Sequence, residues 1–498
     1  MTLNRRDVMW GAAATAASAC ASTPGAVAAA AACQAGTPAW KAELRRRLEA
    51  MAEELQRSLK PWSGPKTVFQ PEAFGLQERG TATRALQAAI DAAGAQGGIV
   101  RLSKGDYVSG TLVLRSKVRL EVAKGARLVA STSLADYPEH VAARRTVMDT
   151  NMGMNQSLIF AEGCADISIA GQGVIDGRGG QANFPGAETS HGTPGRPFLI
   201  RVLDCRRVHV EGITLRDAAC WMQNYLNCDE LLIEDITVSN QANYNNDGVD
   251  IDGCRRVIVR GCLINSEDDG LCFKGASQRP TEQVLVENCR IYSSCNAIKF
   301  GTDSQGDFRN VLVRNVEIGG TPDTLPSLHR RKAISGVSWE SIDGGVVEDV
   351  YAHDVRIDRS RAPIFLRLED RARVKPEDPR PAPGRLRRIV FEDVTGADNG
   401  PLGSLILGLP ERPIEDVVLE RVSLGVTPAD RAPPPEDAIP EKRDAYPDAN
   451  MFGEVAPAFG LWARHAVRVT LANVRIAPGG PDPRPAYNTS DVQQFCVD

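Results

Sequence analysis

The chain has 498 residues, of which 42% are hydrophobic and 24% charged, with a formal net charge of −5. That length exceeds what one globular core usually supports, so it calls for several domains or for a repeat architecture that grows in one dimension. The acidic balance excludes the basic excess that nucleic-acid binding requires, and 45 glycines and 31 prolines beside 5% aromatics favour many short strands over packed helices.

At the N-terminus, Arg5 and Arg6 precede a small-residue, apolar run over 10–19, the pattern of a twin-arginine export signal, assigned to residues 1–32 with cleavage expected within 27–32. Cys20 stands in an imperfect lipidation box, so export to the periplasm or the exterior is preferred to a lipid anchor. No later run of about 18 apolar residues exists, and no membrane span is expected. Residues 33–64 form a helix-prone extension, charged over 40–59.

From 65 to 485 one unit recurs: alternating apolar residues, a polar pair, then another short apolar strand. It reads CRRVHVEGITL from Cys205, CDELLIEDITV from Cys228, CRRVIVRGCLI from Cys254 and EQVLVENCRI from Glu282, with further copies from Cys164, Arg309, Val347, Arg387, Glu415 and Val467. Equivalent positions Ile213, Ile236, Cys262, Cys289 and Val316 lie 23, 26, 27 and 27 residues apart. Strands of three to five residues at this period predict an all-β fold, a single right-handed parallel β-helix, with 65–485 as its body and 486–498 as a tail. Residues 82–98 have the apolar period and Gly-Gly stop of an amphipathic helix that would cap the open end. Proline-rich stretches at 374–385 and 427–450 read as surface excursions, since the repeat resumes after each. Cys262 and Cys289 occupy apolar repeat positions and read as buried hydrophobes, although a disulfide between stacked coils stays open. Zinc-ligand spacing is missing, and neither metal nor organic cofactor is expected.

Two neighbouring coils concentrate acids: Asp247, Asp250 and Asp252 in NYNNDGVDIDGC, and Glu267, Asp268 and Asp269 in INSEDDGLCFKG. The 21 residues from Asp247 to Asp268 place them on adjacent coils, on one side. Carboxyls that close push their proton affinities apart, which supplies the acid and the base that glycoside hydrolysis needs. Taken singly, Asp250, Asp252 and Glu267 read as turn formers or calcium ligands.

The pattern Asn245-Asn246-Asp247 followed by Asp268-Asp269 resembles family 28 of the glycoside hydrolases, the polygalacturonase family. The likeness extends to the helical cap, GQGVIDGRG from Gly171, CNAIKFGT from Cys295 and APIFLRL from Ala362. It implies an inverting hydrolase in which Asp268 is the general acid while Asp247 and Asp269 hold and deprotonate water, with Asn245 and Asn296 at the substrate. Where the family carries Gly-His-Gly this chain has Cys295-Asn296-Ala297, and where it carries Arg-Ile-Lys this chain has GVSWES from Gly336. These departures move the expected substrate away from plain polygalacturonan.

Lys274, Lys299 and Arg367 are candidates to hold a uronate carboxylate, against the alternative of solvated edge cations. Trp339 and Trp221 could stack on a sugar, and His329 lies in a loop that could overhang the cleft. The expectation is a monomeric, exported, exo-acting hydrolase of a uronate-containing polysaccharide or oligosaccharide, with no nucleic-acid partner. A polysaccharide lyase and an inactive carbohydrate-binding β-helix are the alternatives.

Overall fold

The computed structural model describes residues 37–77, 80–147, 155–186 and 195–498. The expected export signal, with Arg5, Arg6 and Cys20, lies outside the described residues. Among those described, 31 strands join one continuous parallel ladder system, and only two α-helices accompany them: α1 (Ala39–Ser58) and α2 (Thr83–Gln96). The middle coils each contribute three short strands, as in Phe198–Leu203, Arg206–Glu211 and Thr214–Arg216, each pairing with its counterpart one coil on, while in the later coils the second and third run together, as in Phe308–Gly319 and Val346–Asp358. This is a parallel β-helix, as the repeat predicts. The register joins Thr214 to Thr237, Leu263 and Arg290, so Ile213, Ile236, Cys262 and Cys289 are indeed equivalent.

The polar pair of each repeat is a corner. Gly212, Asp235, Gly261, Asn288, Asn315 and Asp354 occupy it with φ between 50° and 66°. Glycine, asparagine and aspartate tolerate that left-handed conformation best, which is why the corner recurs as EG, ED, RG and EN. Inward residues form apolar columns such as Val208, Leu231, Val257, Val284, Val311 and Val350. Cys262 and Cys289 are buried free thiols within the same interior.

The helix α2 closes one end of that interior with Leu86, Ala89, Ile90 and Ala93. The other helix has a different role. Leu44, Leu48, Ala52 and Leu55 of α1 lie on one face and cover the outside of the second sheet, where Leu232, Ile258, Leu285, Leu312, Tyr351 and Val390 stack. Lys41 of α1 donates to Glu392 at 2.7 Å and Glu420 at 2.6 Å, tying the helix to late coils. The segment expected as a C-terminal tail is instead the last coil: Tyr487–Val497 pairs with Leu461–Pro478, because Val492 and Phe495 continue the inward columns of Ala466 and Val469. No helix among the described residues is long and apolar enough to cross a membrane.

Leu48 is 1% exposed between α1 and the sheet. Leu48→Ala is expected to cost about 2–5 kcal/mol of unfolding free energy in a denaturant titration. An unchanged midpoint would show that α1 does not support the coils.

Candidate active site

The acids stand on the outward side of the first sheet, over Val249–Asp252, Leu271–Lys274 and Asn296–Phe300. Strand alternation sends Val249, Ile251, Leu271, Phe273, Ile298 and Phe300 into the core and turns Asp250, Asp252, Cys272, Lys274 and Lys299 to the opposite face. The Gly248 N–H donates to the Asp269 carbonyl, and the Gly270 N–H to that of Asn296. Asp247, Asp269 and Asn296 therefore form a column. Asp268 is on the neighbouring coil, as its spacing predicts, but Asp269 is the residue that stands over Asp247.

Asp268 projects from a turn pinned through its carbonyl, which accepts from Ser266 Oγ at 2.9 Å and Ser293 Oγ at 2.6 Å. Asn245 Nδ2 reaches the Asp268 carboxyl at 3.4 Å. Asn245 adopts φ 55°, and Arg196 holds it there, donating to its Oδ1 at 2.8 Å and to the Tyr244 carbonyl at 2.6 Å. Asn246 is fully buried and shapes the loop, accepting from the N–H groups of Ala242 and Asn243 and donating to the carbonyls of Ala218 and Cys220. Sequence reasoning passed over Arg196 because it lies 49 residues upstream of Asn245, outside either acid motif.

Two lysines divide the charge. Lys299 Nζ lies 3.2 Å from Asp269 Oδ2, and Asn296 Nδ2 donates to Asp269 Oδ1 at 2.7 Å. Burial alone would raise this carboxyl, but Lys299, Lys274 and Asn296 outweigh it and hold Asp269 below the usual aspartate range. Asp268, less buried than Asp269, is pushed up by desolvation and by the charge of Asp269. Asp247 is pushed well up by burial and then by Asp250 and Asp268. Lys274 Nζ faces Asp250 at 3.3 Å and Asp247 at 3.7 Å, and sits 4.4 Å from the centre of the Trp221 ring. Neither lysine is a solvated edge cation: both are buried, and their charges face carboxylates.

Asp250 is not a turn former. It lies within a strand, fully buried, with its carboxyl raised to about 7 by desolvation.

The other candidates separate. Trp339 faces inward in a stack with Phe300 at 5.1 Å and Phe391 at 4.8 Å, and is fully buried. It fills the core and cannot meet a sugar. Arg367 is also fully committed: it donates to Glu369 at 2.8 Å and to the Glu441 carbonyl at 2.6 Å, fastening the second excursion. Its register partner is Glu340, two positions along from the residue opposite Lys299. His329 does overhang the acids: its ring stacks on Tyr244 at 4.9 Å and its Nε2 lies 3.2 Å from Glu267. Tyr446, from the second excursion, places its exposed ring 5.6 Å from Lys299 Nζ on the other flank. Nothing in the local sequence marked Tyr446, since its role depends on where the excursion folds back.

Of the three sets among the described residues with donors for a cation, two lie at this site: Asp247, Asp250 and Cys272, and Asp268, Asp269 and Cys295. In each a lysine ammonium already faces the carboxylates and would repel a metal ion.

The buried acids carry a stability cost with a defined sign. Unfolded Asp250 loses its proton near the ordinary aspartate value of 3.8, whereas folded Asp250 keeps it until about 7. Folding therefore grows less favourable as pH rises through that window. Asp250→Asn should raise the melting temperature more at pH 8 than at pH 4, and an equal effect at both would contradict this electrostatic picture.

Comparison with known proteins follows the same residues. The model of the family described as "Glycosyl hydrolases family 28" matches residues 115–432. A "Probable polygalacturonase" of Vitis vinifera is 27% identical over 219 residues, 41% of this chain and 44% of that protein; the chain thus aligns with less than half of that relative's length. Among solved structures, an exopolygalacturonase from Thermotoga maritima superposes with a TM-score of 0.64 at 18% identity, over 76% of this chain and 91% of that one. The family 28 exopolygalacturonase of Yersinia enterocolitica gives 0.64 at 18% identity, over 86% and 79%. Those likenesses show the shared coil architecture. The family match spans most of the chain and contains every acid of the cluster, and the chain belongs to glycoside hydrolase family 28.

Proposed function

We propose that this protein hydrolyses glycosidic bonds in a pectic or other uronate-containing glycan by single displacement, releasing sugar from a chain end. The observation that carries this reading is the split between two adjacent carboxyls: burial and the charge of Asp269 push Asp268 above the usual aspartate range, while Asp269, with Lys299 Nζ at 3.2 Å and Asn296 Nδ2 at 2.7 Å, is held below it. Asp268 gives its proton to the departing glycosidic oxygen as the bond from that oxygen to the anomeric carbon breaks. Water, held between Asp269 and Asp247, forms the new bond to that carbon and loses a proton to Asp269. Asn245 and Asn296 orient the two acids.

Lysine-based β-elimination is disfavoured, because both lysines are paired with carboxylates and held well above their usual range, protonated and unable to serve as a base. One observation favours a second reading. The nearest oxygens of Asp268 and Asp269 lie within 4.8 Å, closer than the roughly 6.5–9.5 Å of most inverting pairs and nearer to retaining geometry.

Attack at a chain end is supported by what covers the later coils. The outward column that carries Lys299 continues as Ser338, Phe365, Leu405 and Trp462. Ile439 and Ala449 of the second excursion, with Phe452 and Ala456 just after it, pack over those apolar residues. A groove along the coils would be stopped there, beside Tyr446. The substrate differs from plain polygalacturonan on this account because Asn296 stands where the family has histidine, and Ser338 and Glu340 stand in the GVSWES stretch. The Arg5–Arg6 pattern supports export, so that the glycan is met outside the cytoplasm.

A panel of oligogalacturonides and mixed uronate oligosaccharides, assayed for new reducing ends, tests the proposal. The expected first product is a single released sugar unit, and Asp268→Asn should lower kcat by about 10²–10⁴-fold with KM little changed. No reducing ends from any uronate glycan would overturn it, and a ladder of mid-sized products at early times would overturn exo action.

A further inference from the structure

Three buried groups beneath the water-holding acids take no part in the mechanism above as direct reactants: Asp250, Lys274 and the Trp221 ring. Asp250 is completely buried, and neither of its oxygens has a hydrogen-bond partner; Asp247 Oδ1 has none either. The carboxyl oxygens of Asp247 and Asp250 and the sulfur of Cys272 lie within 4.8 Å of one another. The charges that face Asp250 are few. Its own coil supplies Asp247 and Asp252, the next coil supplies Cys272, Lys274 and Asp269, and its partner on the preceding coil is the uncharged Asn224.

These charges do not balance if every acid is ionised. Lys299 is matched by Asp269 at 3.2 Å, and Asp252 accepts the Ser277 N–H at 3.1 Å. Lys274 is left with two carboxyls, Asp250 at 3.3 Å and Asp247 at 3.7 Å. One ammonium, already resting on an aromatic face, satisfies one buried carboxylate. A second, with no hydrogen-bond donor, would stand uncompensated among buried groups, and two carboxyls at such a separation resolve this by keeping a proton between them.

We infer that Asp250 is a positioning residue: with Asp247 it holds a single shared proton under the charge of Lys274, which leaves Asp269 as the sole ionised base. Asp247 then serves the water as a neutral or half-neutral hydrogen-bonding group, and its charge is set from below by a residue that touches no substrate. This rests on the proposed hydrolysis for its catalytic meaning, but the shared proton is a property of the resting protein.

The test is a pH titration of the full-length protein carrying ¹³Cγ-labelled aspartate, followed by NMR without substrate, with Asp247→Asn and Asp250→Asn used to assign the signals. The wild type should show the Asp247 and Asp250 signals moving together in one step near pH 7. In Asp250→Asn the pair's negative charge must fall on Asp247. That step should vanish, and Asp247 should stay ionised to a pH at least about one unit lower. Lys274→Met should move the wild-type step to higher pH by a similar amount, while Lys274→Arg, which keeps the charge, should restore it. Both signals titrating separately in the ordinary aspartate range, or an Asp247 signal unmoved in Asp250→Asn with a native near-ultraviolet circular dichroism spectrum, would overturn the inference. If Asp250→Asn does not fold, the wild-type titration and the two Lys274 variants decide alone. A protein inactive on every glycan would defeat the hydrolase reading while leaving this titration as it stands.

Discussion

In a parallel β-helix each side chain has its counterpart about 4.8 Å above and below, and the backbone ladder leaves no freedom to offset them. Everything else in this molecule follows from that stacking. Where the columns are apolar they build the interior, from Val208 to Val350 and beyond. Where a column carries charge, like is brought upon like, and the protein must neutralise it or bear the cost. The column Asp247, Asp269 and Asn296, with Lys274 and Lys299 rising beside it, is the solution at the site.

The same stacking explains why chemistry and stability oppose each other here. Carboxyls packed this closely shift one another's proton affinity, and the unequal distribution of two lysines among them pushes Asp268 up and holds Asp269 down. Burial strengthens each of these interactions and makes each unpaired oxygen costly. The covering elements supply that burial. Helix α1 seals the second sheet, and the second excursion seals the late coils of the first.

Much of this was legible from residues alone, because coil, column and corner each leave a periodic mark. The register of Ile213, Ile236, Cys262 and Cys289 was readable, as were the cap and the placing of Asp247 and Asp268 on neighbouring coils. Contacts between distant segments left weaker marks. Trp339 was a candidate because aromatic rings stack on sugars, and Arg367 because a cation can hold a uronate carboxylate; strand parity turns Trp339 inward, and Glu369 claims Arg367. A sharper reading had a clue to α1. In LLI, VIV, VLV and VYA the outer residue of the second sheet is apolar too, and such a face must be covered. Tyr446 and Arg196 had no such signal, since nothing periodic ties them to the acids they approach. Asp250 was read as a turn former because aspartate is common in turns; its strand position, three residues after Asp247, was the contrary sign.

The central claim is that Asp268 protonates the leaving group while a water activated by Asp269 attacks the opposite face of the sugar. The most direct measurement is proton NMR of the anomer formed in the first minutes of hydrolysis of a uronate oligosaccharide, before mutarotation scrambles it. The account predicts an inverted configuration at the released reducing end. A retained configuration would mean that one of these aspartates bonds covalently to the sugar, and would contradict it.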